Sequence, residues 1–394
     1  MRTRTPLYPQ MIALASICLV ILLTIAASPA HSAPRLIPQP PNLAAKSWIL
    51  IDAQSGHVIV QNNADETLPP ASLTKMMTSY IAAEQIETGN IAMDDEVLIS
   101  KKAWRKGGSK MYIREGTRVS LEDLLKGVII QSGNDASIAV SEHVAGSEDA
   151  FADLMNQTAV TLDMQNSHFM NATGWPADDH YTTASDLSKL ARAIIYDHPD
   201  HYSVYAEKEF TYNNIRQPNR NKLLWRDSSV DGLKTGHTNA AGYCLVASAK
   251  RNDMRLISVV MGTKSIDARA AESQKLLTYG FRFFETVKSY NAQEALVTPD
   301  IWMGAADQVQ LGSADDILLT IPRGAEKEIK AELDFPSEIR APLTAGQVVG
   351  TIKLLLDGKI IHESPLSALE SIEEAGFIKR IWHMILIFFI GLIS

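Results

Sequence analysis

The stretch Pro69-Pro70-Ala71-Ser72-Leu73-Thr74-Lys75-Met76-Met77 decides how this chain is interpreted. Two prolines end an extended segment and suit the entrance of a helix, where a missing N–H costs little. On that helix Ser72 and Lys75 stand three residues apart and therefore share one face. A serine hydroxyl attacks well only when a neighbouring base takes its proton. The stretch predicts a nucleophile and its base at the start of a helix.

Two further motifs follow at wide separation, Ser132-Gly133-Asn134 and Lys234-Thr235-Gly236. They supply a second hydroxyl, an amide and a second cation. The three motifs in this order are typical of penicillin-binding proteins and related serine β-lactamases. We therefore expect a serine acyl-transferase that acts on peptides ending in D-alanine.

Length, composition and residue spacing limit the kinds of protein that this chain can be. The chain has 394 residues, 46% of them hydrophobic and 21% charged, with a formal net charge of −8. This length predicts two domains with appendages. No basic cluster or base-stacking motif indicates nucleic-acid binding. Spacings typical of metal sites are absent from the sequence, and Cys244 lies in an apolar, strand-like segment where we expect a small buried hydrophobe.

The N-terminus has the pattern of an export signal. Arg2 and Arg4 precede an apolar run from Met11 to Ala27, and small residues follow, with Ala30 and Ser32 at the positions that a signal peptidase reads. We predict a signal peptide over residues 1–32. An uncleaved transmembrane anchor is the alternative, since the run is long for a signal core and short for a span.

Residues 33–286 contain both strand patterns and helix patterns. Strand patterns over 47–52, 57–60, 243–250 and 255–263 surround helical patterns, and a further helix is predicted from 267 to about 286. The helix at Ser72 turns Met76, Met77, Tyr80 and Ile81 toward a core, and Ser120 with Asp123 forms a helix cap. Helices before and after an antiparallel sheet predict an α+β catalytic domain over 33–286.

Over about the last hundred residues, short strand patterns replace the helical patterns. Short strand patterns at 317–321, 348–352 and 353–356, with an Asp357-Gly358 turn, predict a small all-β domain over 287–369. Residues 370–394 end in an apolar run from Ile381 to Ile393, which as a helix reaches about 20 Å against a hydrocarbon core of about 30 Å. We expect a helix that lies in the membrane interface. A buried terminal helix is the alternative.

The resemblance extends beyond the three motifs, to the segments Gly280–Thr286 and Leu319–Gly324. The chain resembles the low-molecular-mass penicillin-binding D-alanyl-D-alanine carboxypeptidases of the bacterial periplasm. This resemblance implies a β-lactamase/transpeptidase-like domain with helices packed on an antiparallel sheet. A small all-β domain and a C-terminal membrane-anchor helix would follow it.

The resemblance also implies roles for the motif residues. Ser72 would attack the substrate carbonyl, Lys75 would accept its proton, and Ser132 would relay a proton to the leaving amine. The backbone N–H groups of Ser72 and His237 would form the oxyanion hole. The substrate-binding residues would be Asn134, Lys234, Thr235, Gly236, His237 and Arg269. A solvated surface arginine is the alternative for Arg269.

The implied partners are peptidoglycan stem peptides, β-lactam antibiotics and the membrane surface, with no nucleic acid, cofactor or metal. We expect an exported hydrolase on the periplasmic face of the inner membrane, with a part in peptidoglycan biosynthesis and cell shape. A D,D-endopeptidase, a β-lactamase or a non-enzymatic envelope scaffold built on the β domain are the rivals. The lactamase-like pair Glu209 and Asn213 falls in a strand-like segment, so we interpret it as coincidental.

Overall fold

The computed structural model describes residues 37–393, and the predicted signal peptide lies outside them. The described residues from Gln39 onward belong to one compact unit. The α-helices in this part are α1 (Thr74–Glu87), α2 (Lys101–Arg105), α3 (Leu121–Lys126), α4 (Asn134–Ala145), α5 (Glu148–Thr161), α6 (Ala184–Asp197), α7 (Pro199–Tyr202), α8 (Leu223–Arg226), α9 (Ile266–Phe283) and α10 (Phe377–Ile393).

The strands fall in two groups along the sequence, one before and one after α9. The first group is β1 (Ser47–Asp52), β2 (Val58–Asn62), β3 (Glu96–Leu98), β4 (Arg118–Ser120), β5 (Glu209–Tyr212), β6 (Ile215–Pro218), β7 (Val230–Thr238), β8 (Gly242–Arg251) and β9 (Met254–Thr263). The second group is β10 (Phe284–Tyr290), β11 (Ala295–Val297), β12 (Ile301–Trp302), β13 (Leu311–Gly312), β14 (Ile317–Pro322), β15 (Lys330–Asp334), β16 (Ile339–Arg340), β17 (Val348–Leu356) and β18 (Lys359–Ala368).

A five-stranded antiparallel sheet in the order β2-β1-β9-β8-β7 separates two hydrophobic cores. Ile49 and Ile51 of β1 face one core, while Trp48 and Leu50 face the other. Successive side chains of a strand point to opposite faces, so apolar residues at adjacent positions require cover on both sides. The predicted helices packed on an antiparallel sheet are confirmed, and β7 is an edge strand of that sheet.

Helix α1 runs through the larger core. A short 3-10 turn, Ala71–Leu73, precedes it, and every side chain from Thr74 to Ala83 is buried. A helix that is buried all round must be apolar all round, apart from groups that find polar partners. Lys75 is the one lysine of this helix, and it is buried with the residues around it.

The second motif interrupts a run of helix. The Ser120 hydroxyl caps α3 by accepting from the Asp123 N–H, and a π-helical turn, Gly127–Gln131, follows. Ser132 then takes a left-handed conformation, with φ of 65°, before α4 begins at Asn134.

Helix α9 ends earlier than the sequence pattern indicates. Helical periodicity predicted a helix to about Thr286, but α9 ends at Phe283 and β10 begins at Phe284. Strand β10 pairs with β14 over Phe284–Tyr290, and its β-branched Thr286 and Val287 suit a strand. Three other strands, β11 to β13, lie between β10 and its pairing partner in the sequence, so local periodicity could not reveal the pairing.

The C-terminal strands confirm a mostly β segment. Strand β17 is continuous over Val348–Leu356, where the sequence predicted two strands, and its sheet has the order β11-β13-β18-β17-β15. The predicted turn between β17 and β18 has positive φ at both Asp357 (52°) and Gly358 (73°). This combination is the requirement of a two-residue hairpin turn of type I′.

The first turns of helix α10 contact the C-terminal β segment. The Lys379 ammonium donates to Asp307 at 2.7 Å, and His383 Nδ1 accepts from the Met303 N–H at 2.8 Å. Farther along, Trp382 and Phe388 are exposed. Within residues 37–393, none of the helices has the length and apolar character needed to cross a bilayer.

One buried carboxylate joins the large sheet to the β10–β14 pair. Asp52 is fully buried, and its Oδ2 accepts from the hydroxyls of Thr286 at 2.5 Å and Thr320 at 2.7 Å.

We expect Asp52→Ala to lower the free energy of unfolding by about 3 kcal/mol, because both hydroxyls lose a charged acceptor. Thermal melts compare it with the exposed control Asp94→Ala. Equal melting temperatures for the two variants would contradict this role.

Candidate active site

A cleft of about 550 Å³ lies along the β7 edge of the sheet. Most of the residues that the sequence predicted for the site line it. These are Ser72, Ser132, Asn134, Thr235, Gly236, His237 and Arg269. The remaining two, Lys75 and Lys234, are buried and bonded to residues of this lining.

Ser72 and Lys75 are in contact, as their spacing predicted. Lys75 Nζ donates to Ser72 Oγ at 3.1 Å, to Asn134 Oδ1 at 2.8 Å and to the Thr173 carbonyl at 2.5 Å. An ammonium has three protons, so these acceptors satisfy all of them. The lysine is fully buried, whereas Ser72 is partly open to the cleft.

The environment of Lys75 favours its neutral form. Burial is the largest cause that lowers its pKa, and the nearby positive charge of Arg220 adds to it, bringing the pKa to about 7. The Asp135 carboxylate opposes this shift. A lysine that is half neutral near pH 7 can accept a proton from a hydroxyl.

The sequence did not single out Asp135. Its carboxylate is buried beneath the site and accepts from the backbone N–H groups of Met111, Tyr112 and Ile113 at 2.9, 2.9 and 3.3 Å. These bonds fix the segment before α3 against the start of α4. The available signal was an acidic residue directly after the Ser-Gly-Asn motif, at the first turn of a helix.

Ser132 presents a hydroxyl without a partner. The residue is 2% exposed, and its Oγ has no hydrogen bond to any residue in the described part of the chain. Its left-handed backbone is uncommon for a residue other than glycine. Buried polar atoms are normally paired, so an unpaired hydroxyl on the cleft wall is available to a ligand.

Asn134 bridges two walls of the cleft. Its Oδ1 accepts from Lys75, and its Nδ2 donates to the Gly107 carbonyl at 2.8 Å. The second contact fixes which amide atom faces the lysine, because only the NH₂ group can donate to a carbonyl.

The third motif lies on β7 and packs directly against the turn that carries Ser72. A Cβ at Gly236 would come within 3.1 Å of the Pro70 carbonyl oxygen, so a glycine permits the close approach. Lys234 is 2% exposed, and its Nζ donates to the Thr235 carbonyl at 3.3 Å. Burial, followed by the charge of Lys75, holds the pKa of Lys234 well below its usual value.

His237 and Arg269 meet at the ring of Tyr243. The exposed His237 ring lies 4.0 Å from the tyrosine ring between centroids, and the Arg269 guanidinium lies 5.8 Å from that ring. Arg269 donates to the Gly236 carbonyl at 3.2 Å and is only 6% exposed. The alternative of a solvated surface arginine is therefore wrong.

The loop from Asn171 to Trp175, which the sequence analysis did not single out, also builds the site. Asn171 Oδ1 accepts from the N–H groups of Thr173, Gly174 and Trp175 at 3.1, 2.9 and 3.0 Å, which turns the Thr173 carbonyl toward Lys75. A Cβ at Gly174, whose φ is 77°, would lie 1.8 Å from the Ala71 carbonyl oxygen. The signal was an asparagine three residues before a glycine, the composition of a tight turn.

Two residues considered from the sequence lie apart from this chemistry. Glu209 is in β5, where it pairs with Arg216 on the surface. Cys244 is a buried residue of β8, as expected, and burial raises its pKa to about 11.

Comparison with known proteins agrees with the geometry of the cleft. A family described as D-alanyl-D-alanine carboxypeptidase matches residues 35–265, and one described as the C-terminal domain of penicillin-binding protein 5 matches residues 284–374. The D-alanyl-D-alanine carboxypeptidase DacC of Escherichia coli is 47% identical over 357 residues, which cover 89% of each chain. DacA of the same organism is 47% identical over 362 residues, covering 90% of each.

The fold agrees with a solved structure as well. Penicillin-binding protein 5 from Haemophilus influenzae superposes with a TM-score of 0.84 at 41% identity, over 86% of this chain and all of that one. The chain thus belongs to the D-alanyl-D-alanine carboxypeptidase family of penicillin-binding proteins, and it is a serine-type carboxypeptidase.

Proposed function

We propose that this enzyme removes the terminal D-alanine of peptidoglycan stem peptides through an ester intermediate on Ser72. One observation carries the proposal. A fully buried lysine, whose pKa is lowered to about 7, lies 3.1 Å from a serine hydroxyl that opens to a cleft.

In the first step Ser72 Oγ attacks the carbonyl carbon of the penultimate D-alanine, and neutral Lys75 takes the hydroxyl proton. The carbonyl oxygen becomes an oxyanion between the backbone N–H groups of Ser72 and His237. One such donor contributes about 3 to 4 kcal/mol in comparable sites. The buried charge of Lys234 adds positive potential on the same side.

The second step breaks the C–N bond. The leaving amine of D-alanine takes a proton from the unpaired hydroxyl of Ser132. Lys75 then gives the proton that it took from Ser72 to the Ser132 oxygen. Asn134 holds the substrate amide and keeps Lys75 in position. Water then attacks the ester, and the peptide acid leaves while the Ser72 hydroxyl re-forms.

The terminal carboxylate of the substrate needs cationic partners. Lys234, Arg269 and the hydroxyl of Thr235 lie together on β7 and the adjoining start of α9. Gly236 lets this strand approach the nucleophile, and His237 continues it. A carboxylate at this place turns the last peptide bond toward Ser72.

Penicillins are expected to acylate the same hydroxyl. A β-lactam offers a strained amide carbonyl with a carboxylate nearby, so it presents the two groups that the cleft binds in a peptide. The lactam nitrogen stays attached after ring opening and hinders the water step.

The N-terminal and C-terminal segments of the chain support a proposal for the cellular location of the enzyme. We propose export directed by residues 1–32, a catalytic domain over 33–286, a β domain over 287–369 and a membrane-associated segment over 370–394. Exposed apolar side chains on α10, with Lys379 and Arg380 before them, support a helix lying in a membrane interface. The enzyme would then act at the periplasmic face of the inner membrane, where trimming of stem peptides bears on cell shape.

Replacement of the nucleophile tests the mechanism. Ser72→Ala should reduce D-alanine release from a diacetyl-Lys-D-Ala-D-Ala peptide by more than about ten thousandfold, because no other group forms the ester. Mass spectrometry should find the penicilloyl adduct on the parent enzyme and not on this variant. The exposed Ser203→Ala serves as the control. An adduct that persists on Ser72→Ala would overturn the assignment.

Removal of a neighbouring charge tests the role of Lys75. Only neutral Lys75 accepts the proton, so kcat/KM should rise with pH through about 7 and then level off. Arg220→Gln removes a positive charge that lowers this pKa, so the rise should move to higher pH. The surface variant Arg216→Gln, which loses a pair with Glu209, should leave the profile in place. A profile unchanged by Arg220→Gln, or one that moves to lower pH, would contradict lysine as the base.

A shortened chain tests the membrane segment. A protein ending at Glu374 lacks α10, and we expect it in the soluble fraction after cell lysis with its activity on the small peptide intact. The full chain should sediment with membranes. Retention of the shortened protein in the membrane fraction would show that attachment lies elsewhere.

A further inference from the structure

His180 is a buried histidine that the mechanism does not use. It follows the loop from Asn171 to Trp175 in the sequence and is 6% exposed. Its Nε2 lies 2.9 Å from the hydroxyl oxygen of Thr74, which is the first residue of α1 and the neighbour of Lys75. The imidazole therefore contacts the helix that carries the base.

The hydrogen bonds around the ring decide which nitrogen carries the proton. The Met170 N–H donates to His180 Nδ1 at 3.2 Å, and Asn171 Nδ2 lies 3.3 Å from the same nitrogen. This amide group is a donor, because Asn171 Oδ1 is the atom that accepts from the loop N–H groups. Two donors that face Nδ1 require a lone pair there, so the neutral ring has its proton on Nε2 and donates it to Thr74.

These bonds tie the loop to α1 next to the catalytic lysine. Asn171, which contacts the imidazole, shapes the turn that aims the Thr173 carbonyl at Lys75. That carbonyl lies 2.5 Å from the lysine Nζ, the shortest of the three bonds that the ammonium makes. A shift of the loop would therefore withdraw one acceptor from the buried base.

The charges around the ring agree with a neutral imidazole. Burial, followed by the positive charges of His168 and Lys75, lowers the pKa of His180 to about 4. Asp178 lines a cavity of about 270 Å³ together with His180, but its side chain is exposed to solvent. A proton on Nδ1 would face the Met170 N–H, so protonation of the ring would break this bond.

We propose that His180 is a positioning residue of the active site, which as a neutral imidazole holds the loop against α1. Through this contact the Thr173 carbonyl stays in place as an acceptor for Lys75. His180 is not among the described residues that line the cleft, so it acts through the loop and not on the substrate. This inference deepens the proposed function and rests on Lys75 being the base.

Two replacements of similar size separate hydrogen bonding from packing. In His180→Gln the amide can still donate to Thr74 and accept from the Met170 N–H, so kcat on the diacetyl-Lys-D-Ala-D-Ala peptide should stay within about twofold of the parent value. His180→Leu can do neither. Its kcat should fall about a hundredfold, the effect of a reacting group misplaced by about 1 Å. KM should stay within about twofold, because the residues that bind the substrate are unchanged.

The control for these variants is His201→Leu. Burial lowers the pKa of His201 to about 4 as well, but this residue belongs to α7 and its ring packs against Tyr205. We expect the parent kcat from His201→Leu. A parent-like kcat in His180→Leu would overturn the proposal, as would an equal loss of kcat in His180→Gln and His180→Leu.

Nitrogen NMR of histidine-labelled protein tests the bonding without turnover. The signals of His180 are those that disappear in His180→Gln. We expect a neutral ring with its proton on Nε2, unchanged from about pH 8 to about pH 5.5, where an unperturbed histidine would titrate. A proton on Nδ1, or a charged ring at neutral pH, would overturn the proposal even if His180→Leu fails to fold.

Reaction with penicillin separates a failure of this inference from a failure of the proposed function. If the parent enzyme releases no D-alanine from the peptide, the proposed function is wrong. Acylation of Ser72 by penicillin still compares the variants, because that step also needs a proton acceptor. A rate constant about a hundredfold lower in His180→Leu, with a parent-like value in His180→Gln, supports the positioning role. Equal rate constants overturn it.

Discussion

The structure around the cleft depends on one buried ammonium. Lys75 stands in a helix that is otherwise enclosed by apolar groups, and the transfer of a charge into such a place is costly unless polar partners replace water. Ser72, Asn134 and the Thr173 carbonyl supply those partners from three separate parts of the chain. The cost that remains lowers the pKa of Lys75 to about 7.

These three parts of the chain come together because backbone segments approach each other closely at two glycines. Gly236 lets β7 press against the turn before α1, and Gly174 lets the loop after Asn171 reach the same turn. Asp135 holds a further segment through backbone N–H groups. Two glycine contacts and one buried carboxylate thus hold three walls of the cleft around Ser72.

Most of the site residues predicted from the sequence line one cleft, and they could be picked out because their signals are local or match a known pattern. Ser72 and Lys75 share a helix face by spacing alone, and the two later motifs complete a pattern typical of penicillin-binding proteins. The carbonyl of Thr173 and the amide contacts of Asp135 depend on tertiary packing, so no spacing in the sequence encodes them. The end of α9 was misjudged for the same reason, since β10 forms through pairing with the distant β14.

The position of β7 at the rim of its sheet has a consequence for how an extended chain can enter the cleft. An unpaired strand rim invites any extended chain to join it by main-chain hydrogen bonds. Here the turn of Ser72 and the loop of Trp175 line the cleft that runs along that rim. An extended peptide that joined β7 as a further strand would therefore lie with its backbone beside the Ser72 hydroxyl.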